Sequence, residues 1–295
     1  MRVAVTGGTG FIGRHLVHAL LQAGHEVLVL TRGVNEGKQA ILDASGVEWV
    51  EASITDAPAI VRALKGCEAV YHCVGINREQ DDQTFLKVHV EGTRHLLSAF
   101  RQTGLKRLIM VSFLRARSRL DSPYHMTKWK SEEMIRDSGL DYTIFKPGVV
   151  YGEGDQFISN LKKTIQSFPF FGLVGRKAHP ISPVYVEDFA RALVEVLTDS
   201  STFGKTYPYV GPESFTLREL VELVADKLNI IPTIFPLPVF AHRLAALAME
   251  STMKEPLLTT SQVTMLSESL SEVEPAADPL PHNLQATTRL VEKLT

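Results

Sequence analysis

Over the first 150 residues the chain alternates short apolar runs with stretches whose apolar residues recur every three or four positions. Val3 to Val5 form a run that stops at a glycine turn, and Phe11, Ile12, Leu16, Leu20 and Ala23 then fall at helical spacing before Gly24. That period predicts a helix over 11–23, and glycine readily closes one. Glu26 to Leu30 predicts a fully buried strand, Val47 to Val50 a third strand, Ala57 to Leu64 a short helix and Ala69 to Val74 a fourth strand. Residues 83–102 predict a long amphipathic helix, followed by a strand at Arg107 to Ser112, a helix over 123–138 and a strand at Tyr142 to Phe145. Repeated strand–helix–strand units imply an α/β fold: a parallel sheet with right-handed crossovers and helices on both faces. Ligands of such sheets sit outside the carboxyl ends of the strands, where the strand order switches.

The second half is less regular. Helical spacing covers 156–167, Pro180 to Val186 predicts a strand, 187–197 a helix and Thr206 to Val210 another strand. Thr216 with Glu219 three residues on forms a capping-box pattern at the head of a helix over 216–228. An apolar helix at 239–249 follows a stretch holding Pro232, Pro236 and Pro238. Beyond residue 265 the chain is polar, and a loosely packed tail is expected. The expected organisation is a doubly wound parallel sheet over 1–150, a smaller α/β substrate lobe over 151–265 interleaved with it, and a tail over 266–295. A chain of 295 residues exceeds what one simple core usually holds, which agrees with that division.

The turn after the first strand reads Thr6-Gly7-Gly8-Thr9-Gly10-Phe11-Ile12-Gly13. In such a turn the first glycine permits the bend, the second admits a pyrophosphate against bare backbone, and the third lets helix and strand pack closely. The helix start then offers N–H groups and partial positive charge to the phosphates. Gly7, Thr9, Gly10, Phe11, Ile12 and Gly13 are therefore the expected diphosphate cradle of a dinucleotide-binding Rossmann domain. An NAD site usually places an acid at the end of the second strand to hold the ribose 2′-hydroxyl. Leu30-Thr31-Arg32 has none, and Arg32, with Arg14 in support, suits the 2′-phosphate of NADP. NADP is thus preferred over NAD.

Composition narrows the class. Hydrophobic residues make up 44% and charged residues 22%, the profile of a globular enzyme. A formal net charge of −2 supplies no general attraction to nucleic acid or to an anionic membrane. Cys67 and Cys73 make neither a disulfide framework nor a four-ligand zinc site, so reduced thiols, no metal and a cytoplasmic setting are expected. No apolar run reaches the roughly 18–20 residues needed to span a bilayer, and no secretory leader pattern opens the chain.

Tyr124-His125-Met126-Thr127-Lys128 puts a tyrosine and a lysine on one helix face. A free phenol titrates near about 10, too high for a base at neutral pH, and a neighbouring ammonium favours the phenolate. Tyr124 is therefore the candidate acid/base and Lys128 its electrostatic partner, with Ser112 twelve residues upstream at a strand end.

TGGTGFIG and the Tyr-x-x-x-Lys pair together resemble the short-chain dehydrogenase/reductase superfamily in its extended and atypical, epimerase/dehydratase-like forms. That resemblance implies that Lys128 also holds the nicotinamide ribose and that Ser112 is a candidate substrate hydrogen-bond donor. It implies that Tyr71-His72-Cys73-Val74-Gly75 passes beneath the cofactor ribose, adding Cys73, Val74 and Gly75 to the cofactor site, with Cys73 a packing atom rather than a nucleophile. Lys146-Pro147-Gly148-Val149-Val150-Tyr151-Gly152 is similar to the segment lining the nicotinamide amide, which adds Pro147, Val149 and Val150. Ser53 and Ile54 stand where the family commonly has an aspartate near the adenine. Asp188, in Pro183-Val184-Tyr185-Val186-Glu187-Asp188, reads as a helix cap.

Two positions depart from the family pattern. Phe113 stands where a second hydroxyl residue often positions the substrate oxygen, and His89 stands where many members have asparagine before Gly-Thr. His89 either replaces that asparagine or is an interior histidine. Arg115, Arg117 and Arg119 alternate in the loop before the Tyr124 helix, either as a solvated basic loop or as contacts to an anionic substrate, a charged partner or a lipid headgroup. The segments SGLDYTIFKPGVVYG and PESFTLRELVELVADKL are most similar to the accessory subunit of respiratory complex I and its free-standing bacterial relatives. The resemblance therefore implies one of two functions. One is an oxidoreductase or epimerase/dehydratase acting on a carbonyl or secondary alcohol of a small molecule. The other is a non-catalytic NADP-binding regulator or assembly factor that docks to a membrane complex. Homodimer formation through helix pairs is common in the superfamily.

Overall fold

Strand β1 (Arg2–Thr6) buries Val3, Ala4 and Val5 completely, as a three-residue apolar run covered on both faces must. In the computed structural model, which describes residues 1–33, 46–119, 122–253, 256–273 and 277–294, β1 is an interior strand of a seven-stranded parallel sheet. Strands β2 (Glu26–Thr31) and β3 (Val47–Glu51) extend it to one side. On the other lie β4 (Ala69–His72), β5 (Arg107–Val111), β6 (Asp141–Pro147) and β10 (Lys205–Tyr209), the last numbered in chain order. The order β10-β6-β5-β4-β1-β2-β3 reverses at β1, and the crevice between β1 and β4 is the switch point at which dinucleotides bind.

Alternation along the strands sorts the core. Ala4, Leu28, Val70, Leu108 and Ile144 join one cluster with Ile60, Leu96, Phe100 and Ile135. These last four come from helices α2 (Ala57–Ala63), α3 (Gly92–Thr103) and α4 (Pro123–Arg136). Helix α1 (Phe11–Gln22) packs instead with α6 (Val186–Glu195), where His15 Nδ1 lies 2.6 Å from Glu187 Oε1.

The chain divides into two units. The first comprises Met1–Pro147, Val186–Tyr209 and Ala276–Gln285. The second comprises Gly148–Tyr185, Val210–Pro275 and Ala286–Thr295. Two parallel two-stranded ribbons lie in the second: β7 (Val150–Tyr151) with β9 (Val184–Tyr185), and β8 (Phe170–Val174) with β11 (Thr233–Leu237). Its helices include α5 (Phe157–Ser167), α7 (Leu217–Lys227), α8 (Val239–Thr252), α9 (Thr260–Leu266) and α10 (Leu290–Lys293). The capping box of α7 is formed: Glu219 N–H donates to Thr216 Oγ1 at 3.2 Å, and Thr216 N–H donates back to Glu219 Oε2 at 2.6 Å.

Several elements differ from the sequence-based expectation. The helix expected over 83–102 opens with a π-helical turn, Leu86–Glu91, before α3. Val88, His89 and Val90 are all buried, and the wider winding turns three consecutive residues inward where a regular helix would expose one. The strand expected at Pro180 to Val186 shrinks to Val184–Tyr185, because Pro180 and Pro183 have no N–H to pair. Strands β8 and β11 fall in stretches with no clear strand pattern. Both are edges, so Pro236 inside β11 costs no necessary ladder bond. Residues 266–294, expected as a loose tail, carry order: Leu270 N–H donates to the Pro180 carbonyl at 2.8 Å, and Leu284 and Leu290 are buried.

Candidate functional site

Gly7 adopts φ +72°, and a Cβ there would stand 2.8 Å from the backbone of Cys73 and Val74. Gly13 is tighter: its Cβ would come within 2.1 Å of the Gly7 carbonyl and 2.7 Å of Gly8 Cα. Gly7 thus lets the turn lie against the chain leaving β4, and Gly13 lets α1 lie against the turn; a side chain at either would force them apart. Gly10 differs. It is the N-cap of α1, supplies no side-chain acceptor, and a Cβ there would meet only the Gly7 carbonyl, at 3.2 Å. The amides of Phe11, Ile12 and Gly13 therefore head a helix whose start has bare backbone in front of it, beside Thr9. That cradle fits a diphosphate.

On the adenine side, Arg32 directly follows β2 and is exposed, the position from which a guanidinium can reach a ribose phosphate. Ser53 and Thr55 share a hydrogen bond at 2.8 Å, and Ile54 packs against Gly92, where a Cβ would leave only 2.7 Å. Past the end of β4, Cys73 N–H still pairs with the Thr6 carbonyl, and the chain then opens through Val74 and Gly75. Burial pushes the Cys73 thiol up to about 12, so it is not a thiolate at neutral pH.

Gly75 sets the position of Lys128. A Cβ on Gly75 would lie 2.9 Å from Lys128 Nζ, so the ammonium rests against bare backbone. Lys128 is buried, and its Nζ donates to the Val111 carbonyl at 3.4 Å. Burial lowers its pKa to about 8, against opposing pulls from Glu132 and Cys73. One turn earlier, Tyr124 stands edge-on to Phe85, His89, Phe113 and His125, with ring centroids 5.4–5.9 Å away. Burial raises its phenol above the ordinary value, and no charge offsets that rise. The expected lowering of Tyr124 by Lys128 is thus absent, and burial keeps Tyr124 a protonated phenol at neutral pH. Phe113, which cannot donate a hydrogen bond, forms one wall of this box.

Ser112 and Tyr124 both come from the segments expected, but the Ser112 hydroxyl is directed inward, donating to Glu132 Oε1. Glu132 is fully buried and also meets Lys146 Nζ at 3.3 Å and Arg136 Nη2 at 2.8 Å. Lys146 in turn donates to the Ala116 carbonyl at 3.0 Å, which ties the arginine-bearing loop to the end of β6. In that loop Arg115 and Arg117 are half-buried, and Arg117 Nη1 donates to the Arg115 carbonyl at 3.1 Å. Sequence reasoning missed Glu132, although Tyr124, Lys128, Glu132 and Arg136 recur every fourth residue and line one stripe of α4.

Two buried histidines were also undervalued. Ile76 N–H donates to His89 Nε2 at 3.1 Å, so the ring proton sits on Nδ1 and is given to Thr127 Oγ1 at 2.9 Å. Thr127 passes its own hydrogen to the Pro123 carbonyl at 2.7 Å. His89 therefore bridges the segment after β4 to the Tyr124 helix. His72 lies below it, between Thr6 Oγ1 at 2.9 Å and Thr93 Oγ1 at 3.2 Å. Thr93 spends its hydrogen on the His89 carbonyl at 2.6 Å, so His72 must donate from Nε2. Burial and the Lys128 charge hold both rings neutral, His72 near about 3.

Pro147 ends β6 and accepts from Leu114 N–H at 2.9 Å. The chain enters the second unit at Gly148, so Val149 and Val150 belong there, where Val149 accepts from Val184 N–H at 2.8 Å.

A sheet that reverses at β1, a bare glycine cradle ahead of α1 and a Tyr-x-x-x-Lys helix beside it define a nicotinamide-dinucleotide-binding protein of the Rossmann class. The chain belongs to the NAD-dependent epimerase/dehydratase family, which residues 3–209 match. It is similar to a mitochondrial NADH dehydrogenase [ubiquinone] 1 alpha subcomplex subunit 9 of Dictyostelium discoideum, 29% identical over 77% of this chain and 65% of that protein. It therefore spans just under two thirds of that relative's length. It is also similar to a ceramide reductase of Caulobacter vibrioides, 29% identical over 80% of this chain and 73% of that protein. Among solved structures, the NADPH complex of a quinone oxidoreductase from Escherichia coli shares the fold, with a TM-score of 0.76 at 21% identity over 99% and 98% of the two chains.

The Lys128 pKa has a measurable consequence. Its ammonium is a hydrogen-bond donor below about pH 8 and is lost above it. Nucleotide affinity measured by calorimetry is expected to fall as pH rises through 8. Stability moves the other way: a lysine with a lowered native pKa makes folding more favourable as pH climbs from about 8 toward its ordinary value of 10.5. A nucleotide affinity flat from pH 7 to pH 9 would remove Lys128 from the binding site.

Proposed function

We propose that the chain is an NADP-dependent reductase of a small-molecule carbonyl, with Tyr124 as the proton donor and Lys128 as the anchor for the nicotinamide ribose. The observation that carries this reading is the protonation state of the pair: a neutral phenol and a buried lysine set one turn apart on α4. When bound, the cofactor supplies the hydride that reduces the carbonyl carbon. Tyr124 is held by Phe85, His89, Phe113 and His125 and keeps its proton until an oxygen more basic than its own phenolate forms. It gives that proton to the substrate oxygen, which leaves as an alcohol. The aromatic walls around the half-buried Tyr124 suit an apolar substrate body. Ser112, committed to Glu132, positions the strand end rather than the substrate oxygen.

Arg32 selects NADP by pairing with the 2′-phosphate. Arg32→Ala is expected to weaken NADPH binding by roughly 10- to 100-fold, the worth of a charge-assisted hydrogen bond, and to leave NADH unchanged. Tyr124→Phe is expected to lower turnover of a carbonyl substrate by about 100- to 10,000-fold with NADPH affinity retained. Unchanged turnover in that variant would remove Tyr124 from catalysis.

A second reading is a non-catalytic NADP-binding subunit or assembly factor of a membrane complex. It is favoured by the inward Ser112 hydroxyl, by Phe113 in place of a donor, and by the similarity to a complex subunit. Tight NADPH binding without oxidation across a panel of apolar ketones and quinones, together with co-purification in a larger assembly, would select it over the reductase.

A further inference from the structure

Helix α8 is apolar almost all round, and a helix of that kind is normally buried. Here only one side is covered. His242 donates from Nε2 to the Gly172 carbonyl at 3.1 Å, Ala246 is fully buried, and Val239 packs toward the cluster of Val174, Ala246 and Val263. The opposite side carries Phe240, Leu244 and Leu247 at positions i, i+4 and i+7, exposed by 67%, 63% and 54%. A continuous stripe of large apolar side chains on a well-ordered helix marks a surface that something covers.

The charge around the stripe says what covers it. Arg243 flanks the stripe on α8 itself and is exposed. At the N-terminal end of the helix, Gly175 donates its N–H to the Leu237 carbonyl at 2.8 Å and lies against Val239, so the exposed Arg176 and Lys177 follow from a point beside the start of α8. Residues 157–182 hold four Lys/Arg and no Asp or Glu, and α8 holds one cation, Arg243, and one acid, Glu250. Yet the whole chain has 33 acidic residues and a net charge of −2. Apolar side chains with Arg176, Lys177 and Arg243 near them, and with the one acid of α8, Glu250, accepting from Thr260 N–H at 3.1 Å, suit the headgroup region of an anionic bilayer. A second copy of this chain is a poor occupant, because a two-fold contact would set Arg176, Lys177 and Arg243 against themselves. Among the described residues no helix is long and apolar enough to cross a membrane.

We propose that the α8 face of the second unit is a peripheral membrane-binding surface for anionic lipid. Phe240, Leu244 and Leu247 enter the acyl boundary, and Arg176, Lys177 and Arg243 meet the headgroups. The proposal is independent of whether the chain turns over a substrate.

Flotation of the full chain with phosphatidylcholine vesicles, with and without phosphatidylglycerol, tests it. Binding is expected only with phosphatidylglycerol present, and to weaken with salt. Each cation near such a surface is worth roughly fivefold in partitioning, so Arg176→Glu, Lys177→Glu and Arg243→Glu combined are expected to lower it by at least about 100-fold. Leu244→Glu with Leu247→Glu is expected to abolish it. Circular dichroism and NADPH calorimetry check that these variants remain folded. Leu244→Trp adds a direct readout: its emission should shift to the blue with anionic vesicles and be quenched by brominated acyl chains. Three results would overturn the proposal. These are no flotation with anionic vesicles, flotation indifferent to Leu244→Glu with Leu247→Glu, and a dimer in sedimentation that those two substitutions dissociate while lipid binding is absent.

Discussion

Glu132→Ala is expected to lower the free energy of unfolding by about 3–5 kcal/mol in chemical denaturation, the cost of breaking a buried charge pair from one side. The carboxylate has no exposure, and it alone joins the Ser112 hydroxyl, the Lys146 ammonium and the Arg136 guanidinium. Removing it takes the carboxylate away from Lys146, which is nearly as buried, and leaves the ammonium its neutral acceptor, the Ala116 carbonyl. Glu132→Gln keeps the shape and an acceptor for Ser112 but loses the charge, so an intermediate loss is expected. It should also lower the Lys128 pKa further, since Glu132 is the largest influence raising it. A denaturation midpoint for Glu132→Ala equal to that of the unaltered chain would show that the network contributes nothing to folding.

Gly13→Ala is expected to abolish NADP(H) binding, by more than about 100-fold, and to cost about 1–3 kcal/mol of stability through overpacking. The added methyl would occupy a point 2.1 Å from the Gly7 carbonyl, and both near neighbours are backbone, which cannot swing aside. Gly10→Ala supplies the contrast. Its methyl has one neighbour at 3.2 Å and points where the diphosphate would lie, so it should impair binding with little change in stability. If both variants lost affinity and stability equally, the two glycines would not have the separate roles the geometry gives them.

The sheet was readable in the amino-acid pattern because parallel strands buried on both faces are bare apolar runs, and each helix between them carries its own period. The glycine turn was readable because its three spaced glycines sit in one short stretch between a strand and a helix, although what forbids a side chain at Gly7 is the distant backbone of Cys73 and Val74. What escaped was non-local. Glu132 looked like one more charge on a helix until β5 and β6 brought Ser112 and Lys146 to it. His89 looked like a departure from a pattern, and its two partners are 13 and 38 residues away. Tyr124 was assigned a lowered pKa from Lys128 alone. Burial raises it instead, and the four rings around it are scattered from residue 85 to residue 125. β8 and β11 escaped because prolines obscured them and because a two-stranded ribbon demands little of its sequence.

Asp278 gives the C-terminal region a role in the first unit that length alone would not suggest. It accepts from Thr206 N–H at 2.8 Å and pairs with Lys205 Nζ at 3.1 Å, at the outer strand of the seven. That strand is an open edge on its far side. A gene fragment stopping at residue 209 would encode every strand of the sheet and yet leave the rim bare, a ready template for pairing with other chains. Such a fragment should aggregate where the intact polypeptide does not, and supplying the missing stretch on a flexible tether should restore it.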